Sequence, residues 1–570
     1  MKTAFTIVLL ALVFVSRLPA AESPGTASSQ NTGSNEFAVG IQVDASREIG
    51  EMKPIWRFFG ADEPNYAYMK DGKKLIKELG DLRPEEVYFR AHNLLSSGDG
   101  TPALKWGSSN AYTEDARGNP VYDWTILDRI FDTYRGRRVR PYVQLGFMPE
   151  AMSVHPEPYQ HEWRPGLRYD KIGTGWSYPP KDYAKWAELI YQWTKHCVER
   201  YGREEVEHWY WEVWNEANGS AYWHAKPEEF YRLHDYAVDA VRRVLPTARV
   251  GGPDVAGSGG KFMEDFMAHC ARGTNYATGR TGTPTDFLSF HAKGSPGFVD
   301  GHVRLGIAAQ LQTINRGFAM IAAVPEFKGK PIVIGESDPD GCAACLGPQL
   351  AYRNTTMYSS YTAASFAREY ELADRHGVNL EGALTWAFEF EDQPYFAGQR
   401  VLASNGIDLP VLNVFRMFSH MGGRRVAAKS SGAIPLDDIL KRGVSGAPDV
   451  GALASLDTNS LCVMVWHYHD DDLPGADAKV ELNVDHLPDG TGEWKLSHYR
   501  IDANHSNAFT EWKGLGSPTA PNEAQYARMQ KAGQLAELGT PEIIRAQNGK
   551  AMISFRLPRQ AVSLLILKRD

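Results

Sequence analysis

Short apolar runs alternate, through the first three quarters of the chain, with longer stretches whose apolar positions recur every three or four residues. The runs at 58–61, 87–91, 139–146, 208–215, 249–253, 286–291, 331–336 and 382–386 have strand length and end in turn-prone residues. The segments between them read as helices. Over 182–200, Trp186, Leu189, Ile190 and Trp193 fall on one face. The stretch 227–244 opens on proline and two glutamates, as helix starts prefer. Strands alternating with helices predict an α/β fold, a (β/α)₈ TIM barrel over 51–422. After Gly422 the pattern turns to short β-type runs at 463–468, 479–484, 494–501, 552–557 and 561–567, separated by turns rich in Pro, Gly and Asp. That predicts an accessory all-β sandwich over 423–570. A further strand within 36–50 precedes the barrel and is expected to join the sandwich.

The N-terminus adds a targeting reading. Lys2, an apolar run over 4–15 and Leu18-Pro19-Ala20-Ala21 have the layout of a signal peptide, 1–21. The run is shorter than the roughly 20 apolar residues of a membrane span; a single membrane anchor is the alternative. Residues 22–35, rich in Ser, Gly, Thr and Asn, read as a disordered lead-in. The expected destination is the periplasm or the exterior, with no membrane attachment after cleavage. At 570 residues and a net charge of −8, with no basic stripe, the chain is not built for nucleic acid. Its 15 Trp and 26 Tyr suit both cores and the flat faces of sugar rings.

Five cysteines leave at least one unpaired within the chain. Cys342 and Cys345 read as a local disulfide clip or as free thiols; no second pair completes a zinc site, so no metal or cofactor is expected. His467-Tyr468-His469-Asp470-Asp471-Asp472 looks metal-like but sits where a β run meets a turn, and is read as a solvated turn.

The chemistry lies at two strand ends. Trp209-Tyr210-Trp211-Glu212-Val213-Trp214-Asn215-Glu216 and Pro331-Ile332-Val333-Ile334-Gly335-Glu336 each deliver a glutamate where a run stops. A parallel barrel opens its active site at the C-terminal ends of its strands, so strands four and seven would bring Glu216 and Glu336 to one mouth. Two carboxyl groups there suit glycosidic bond cleavage.

Tyr88-Phe89-Arg90-Ala91-His92, Arg140-Pro141-Tyr142-Val143-Gln144-Leu145-Gly146-Phe147-Met148-Pro149, Trp214-Asn215-Glu216, Gly251-Gly252-Pro253 and Ser289-Phe290-His291-Ala292 follow in that order. With them the chain resembles glycoside hydrolase family thirty-nine, the family of β-xylosidases and α-L-iduronidases. The resemblance implies that Glu216 is the acid/base and Glu336 the nucleophile. It implies that Asn215 binds the hydroxyl beside the anomeric carbon, that His291 serves the nucleophile or a hydroxyl, and that His92 holds the non-reducing end. Trp386 would floor the sugar site and Glu389 line it. Three positions depart from the family pattern: Ala217 stands for proline, Ser337 for an aromatic, and Lys293 for a tyrosine. Lys293 is a substrate contact or a solvated lysine. The expectation is a retaining exo-acting β-xylosidase acting on small oligosaccharides. The alternatives are an α-L-iduronidase, an arabinosidase or a non-catalytic carbohydrate-binding protein. The sequence leaves the oligomeric state open.

Overall fold

A computed structural model describes residues 36–569, apart from 159–163, 165–166, 168–173, 387, 489 and 491. The expected signal peptide and lead-in lie outside the described residues. No helix among the described residues is long and apolar enough to cross a membrane.

Eight strands close into a parallel barrel: Phe58–Ala61, Val87–Ala91, Val139–Leu145, Tyr210–Val213, Arg249–Val255, Phe287–Lys293, Pro331–Asp338 and Asn379–Trp386. These are barrel strands one to eight, and each falls on an apolar run of the sequence. Their inward side chains Phe58, Tyr88, Tyr142, Tyr210, Phe287, Val333, Leu384 and Trp386 fill the interior as one cluster. A barrel of this size is a packed core, not a pore. The outward residues meet the surrounding helices. Trp209 and Trp211 pack beside Phe131 and Trp193, so most of the aromatic crowd before Glu216 is structural.

The helices form for local reasons. Tyr183–Tyr201 is capped by the Asp182 carboxylate, which accepts from the Ala184 and Lys185 N–H groups. Pro227–Val244 starts on proline with Glu228 and Glu229 in its first turn and ends on Arg242 and Arg243, in line with the helix dipole.

The accessory module is a ten-stranded sheet. Glu36–Glu51 lies inside it, parallel to Asp477–Asp485 and antiparallel to Arg424–Ser430. The sheet folds back on itself. Arg500, near one end of the strand order, donates to the Arg556 carbonyl at the other (2.7 Å). Val39, Val463, Leu482, Ile553 and Leu565 share the enclosed core.

The 467–472 motif is not the solvated turn expected of it. His467, His469, Asp470 and Asp471 are buried, the histidines against Leu557 and Gly446 of the β module and the aspartates under a barrel loop. Asp471 takes a two-pronged bond from Arg304 (2.5 and 2.9 Å), and Asp470 caps the Ile307 N–H (3.0 Å). The motif latches module to barrel.

Candidate active site

Two backbone irregularities aim the carboxylates. Strand four ends at Val213, after which Trp214 and Glu216 take positive φ angles of 70° and 46°. Non-glycine residues enter that region at a cost of about 1–3 kcal/mol each, met by surrounding bonds. Here the Glu216 N–H donates to the Asp254 carbonyl (2.9 Å) and its side chain turns into the mouth. In strand seven a register shift at Gly335 brings Glu336 opposite His291 of strand six. A bulge of this kind re-aims a side chain.

His291 joins the two. Its Nδ1 lies 2.7 Å from Glu216 Oε1 and 3.7 Å from Glu336 Oε2. Through this shared nitrogen the two carboxylates stand close enough to accommodate the roughly 5–5.5 Å separation of retaining glycosidases. Burial alone would depress the His291 pKa, but Asp254 and Glu336 outweigh it and raise the ring to about 10. The ring is therefore an imidazolium, donating at both nitrogens.

Glu336 stands among cations. Burial opposes its charge, yet His291 and Lys293, with Arg90 beside them, hold its carboxyl well below the usual range. Lys293 Nζ lies 2.7 Å from Glu336 Oε2 and 2.5 Å from Asp338 Oδ2. The lysine is thus neither freely solvated nor left to the substrate alone. It holds the strand-seven carboxylates Glu336 and Asp338. Glu216 has 17% of its side chain exposed against 8% for Glu336, placing Glu216 nearer the opening, where a leaving group would depart.

Of the other expected residues, Asn215 is fully buried. Its Oδ1 accepts from Arg90 Nη2 (3.0 Å), and its Nδ2, also buried, has no partner among the described residues. His92 bonds Asp62 through Nδ1 (2.7 Å), and its ring lies 4.3 Å from the Trp386 ring. Burial and the Arg90 charge push the His92 pKa down to about 3, so it is neutral near pH 7. Trp386 ends strand eight over Arg90, and a side chain at Gly60 would collide with it. Glu389 does not join this group. Its carboxylate accepts from the Gly406 N–H beside Asp71 and Lys74, and burial raises its pKa to about 8.

Several residues of the cluster were not anticipated. Arg90 is fully buried and binds Glu212 (2.6 Å), Asn215 and Asp254, with Glu336 at 3.8 Å. Asp62 bridges His92 and the buried Lys105. Glu212 also accepts from Tyr142 (2.8 Å) and Ser289 (2.6 Å). The sequence signal was present in Arg90 and Glu212, charged residues inside apolar strands, where only a partner makes burial tolerable. Cys342 and Cys345 form the disulfide, on the loop after strand seven. Among the described residues no group of three or more His, Cys, Asp or Glu is arranged for a metal.

The model of the glycosyl hydrolases family 39 matches residues 39–547. The chain belongs to that family. It is 26% identical to a β-xylosidase of Geobacillus stearothermophilus over 542 residues, covering 91% of this chain and 94% of the relative. It is 24% identical to the α-L-iduronidase of Mus musculus over 530 residues, covering 86% and 75%. The crystal structure of a monomeric β-xylosidase from Caulobacter crescentus CB15 superposes with a TM-score of 0.71 at 22% identity, covering 93% of this chain and 99% of that one. That likeness establishes the barrel with its β module.

The family-39 site has a pH signature. His291 is raised above its ordinary value, so its contribution to stability is fully present below about pH 6.5 and is lost as pH rises toward 10. The wild-type Tm should fall across pH 7–10, a loss on the order of a few kcal/mol, and His291→Asn should flatten that fall. An equally steep fall in the variant, followed by calorimetry, would remove the imidazolium from the account.

Proposed function

We propose that the protein is a retaining exo-glycosidase that releases xylose from xylo-oligosaccharides. The observation that carries the chemistry is the single His291 nitrogen shared by Glu216 and Glu336. In the first step a Glu336 oxygen attacks the anomeric carbon while Glu216 gives its proton to the departing glycosidic oxygen. A covalent glycosyl-enzyme results. Glu216, now a carboxylate, takes a proton from water, which attacks the same carbon and releases Glu336. Two inversions give net retention. The unpartnered Asn215 Nδ2 binds the hydroxyl next to the reacting carbon, a contact that strengthens in the transition state.

For the sugar, charge balance favours a neutral ring. Lys105 is matched by Asp62, Lys293 by Glu336 and Asp338, and Arg90 by Glu212 and Asp254. A hydroxyl can donate to the carboxylate and accept from the ammonium of such a pair. The β-xylosidase relative, matched along nearly its whole length, supports the same choice. A uronoside is the second reading, favoured by two ammonium groups, Lys105 and Lys293, beside the nucleophile. A panel of p-nitrophenyl glycosides decides between them, with the product anomer followed by NMR. The β-xyloside should be the best substrate and give β-xylose first. Preference for a uronoside would replace the sugar assignment; α-xylose as first product would end the retaining reading. Sugar binding without release would point to a binding protein.

A further inference from the structure

We infer that Asp254 is a positioning residue that sets the spacing of the two catalytic carboxylates by fixing His291 and the turn bearing Glu216. The inference rests on the retaining reading above.

Asp254 is the extra residue of strand five. Strands five and six lose register between Pro253 and Val255, and Asp254 takes a φ of 48°. Its side chain is fully buried. The carboxylate Oδ2 accepts from His291 Nε2 (2.8 Å) and from Arg90. Its backbone carbonyl accepts the Glu216 N–H (2.9 Å), and its own N–H donates to Ser289 Oγ (3.1 Å). One residue therefore holds the main chain of Glu216 and, through His291, its side chain.

It also reaches the other carboxylate. A Cβ at Gly335 would overlap the Asp254 carboxylate, so the residue before the nucleophile is a glycine at the place where Asp254 needs room. The irregularities at Asp254 and Gly335 lie on the two neighbours of strand six, one to each side of His291. Asp254 also neutralises Arg90, together with Glu212 (2.6 Å), but that pairing does not require its contacts to His291 and to the Glu216 N–H. A buried carboxylate whose Oδ1 has no partner among the described residues is costly, which marks a residue kept for more than packing.

The charged groups facing His291 are Glu216 on the turn after strand four, Asp254 on strand five and Glu336 on strand seven. Arg90 and His92 stand across on strand two, and Lys293 lies two residues along its own strand. Loss of the Asp254 charge eases proton loss from His291, so the effect is readable in a pH profile.

The test uses the full chain and whichever aryl glycoside the wild type hydrolyses with retention; lack of such a substrate would count against the retaining reading, not against Asp254. Asp254→Asn should lower kcat about 10²–10³-fold with KM within about threefold, and shift the alkaline limb of kcat/KM down by about one pH unit or more. His291→Asn should lower kcat to a similar extent but lack the limb that His291 contributes, and the double variant should have a kcat no worse than either single one, since both act through one contact. Asp254→Ser is measured beside it in case the asparagine variant does not fold. A kcat within about threefold of wild type, an unmoved limb, or losses that multiply in the double variant would each overturn the inference. Failure of both Asp254 variants to fold would assign the residue to stability instead.

Discussion

Glu336→Ala should abolish turnover, with a loss on the order of 10⁴–10⁶ in kcat, and sodium azide should restore part of it. The magnitude follows from the loss of the attacking atom itself. The rescue follows from what remains: His291, Lys293 and Arg90 still surround the position and favour a small anion there. Azide enters from the nucleophile's face, so a β-glycoside should yield the α-glycosyl azide. A β-azide would show the displaced face to be the other one and would transfer the nucleophile role away from Glu336. Lysine at 293 makes the rescue more favourable than a tyrosine at that place would, because the vacated site keeps an ammonium group.

The second large effect belongs to Glu216. Glu216→Gln removes the proton donor while keeping the side chain's shape. On an unactivated disaccharide the loss should reach about 10²–10⁴-fold, the range of general acid catalysis. A dinitrophenyl glycoside departs without a proton, so its first step should stay within about tenfold of wild type, and the slowed second step should lower KM. Azide added to Glu216→Ala should give an azide of retained configuration, the mirror of the Glu336 result. Equal losses on both classes of leaving group would sink the acid assignment.

The fold was largely readable because its determinants are local. Each barrel strand is an apolar run ended by turn residues, and the helix at Pro227–Val244 carries its own start and stop signals. Glu216 and Glu336 were readable for the same reason, since a glutamate ending a strand is visible in one dimension. The rest of the cluster is not. Arg90, Asp254 and Asp62 come from strands two, five and one, and only barrel closure makes them neighbours. Whether a charged strand residue points inward depends on the phase of alternation, which a bulge such as that at Asp254 resets by one residue. Glu389 shows the opposite error: it follows strand eight closely enough to suggest the mouth, yet the chain turns it toward Gly406 and Asp71. The buried 467–471 latch was missed because the loop that holds Asp471 lies more than a hundred residues upstream.

The strand at Glu36–Glu51 has a consequence for how this molecule comes into being. Its apolar face, with Val39, Ile41 and Val43, finds its parallel partner only at Asp477–Asp485. During synthesis at about 5–20 residues per second that partner arrives on the order of tens of seconds later, after the whole barrel has emerged. Until then the nascent chain carries an unzipped edge of the kind that pairs with strangers. The catalytic barrel can be finished early, but the molecule is sealed only when the tail of the polypeptide returns to its head.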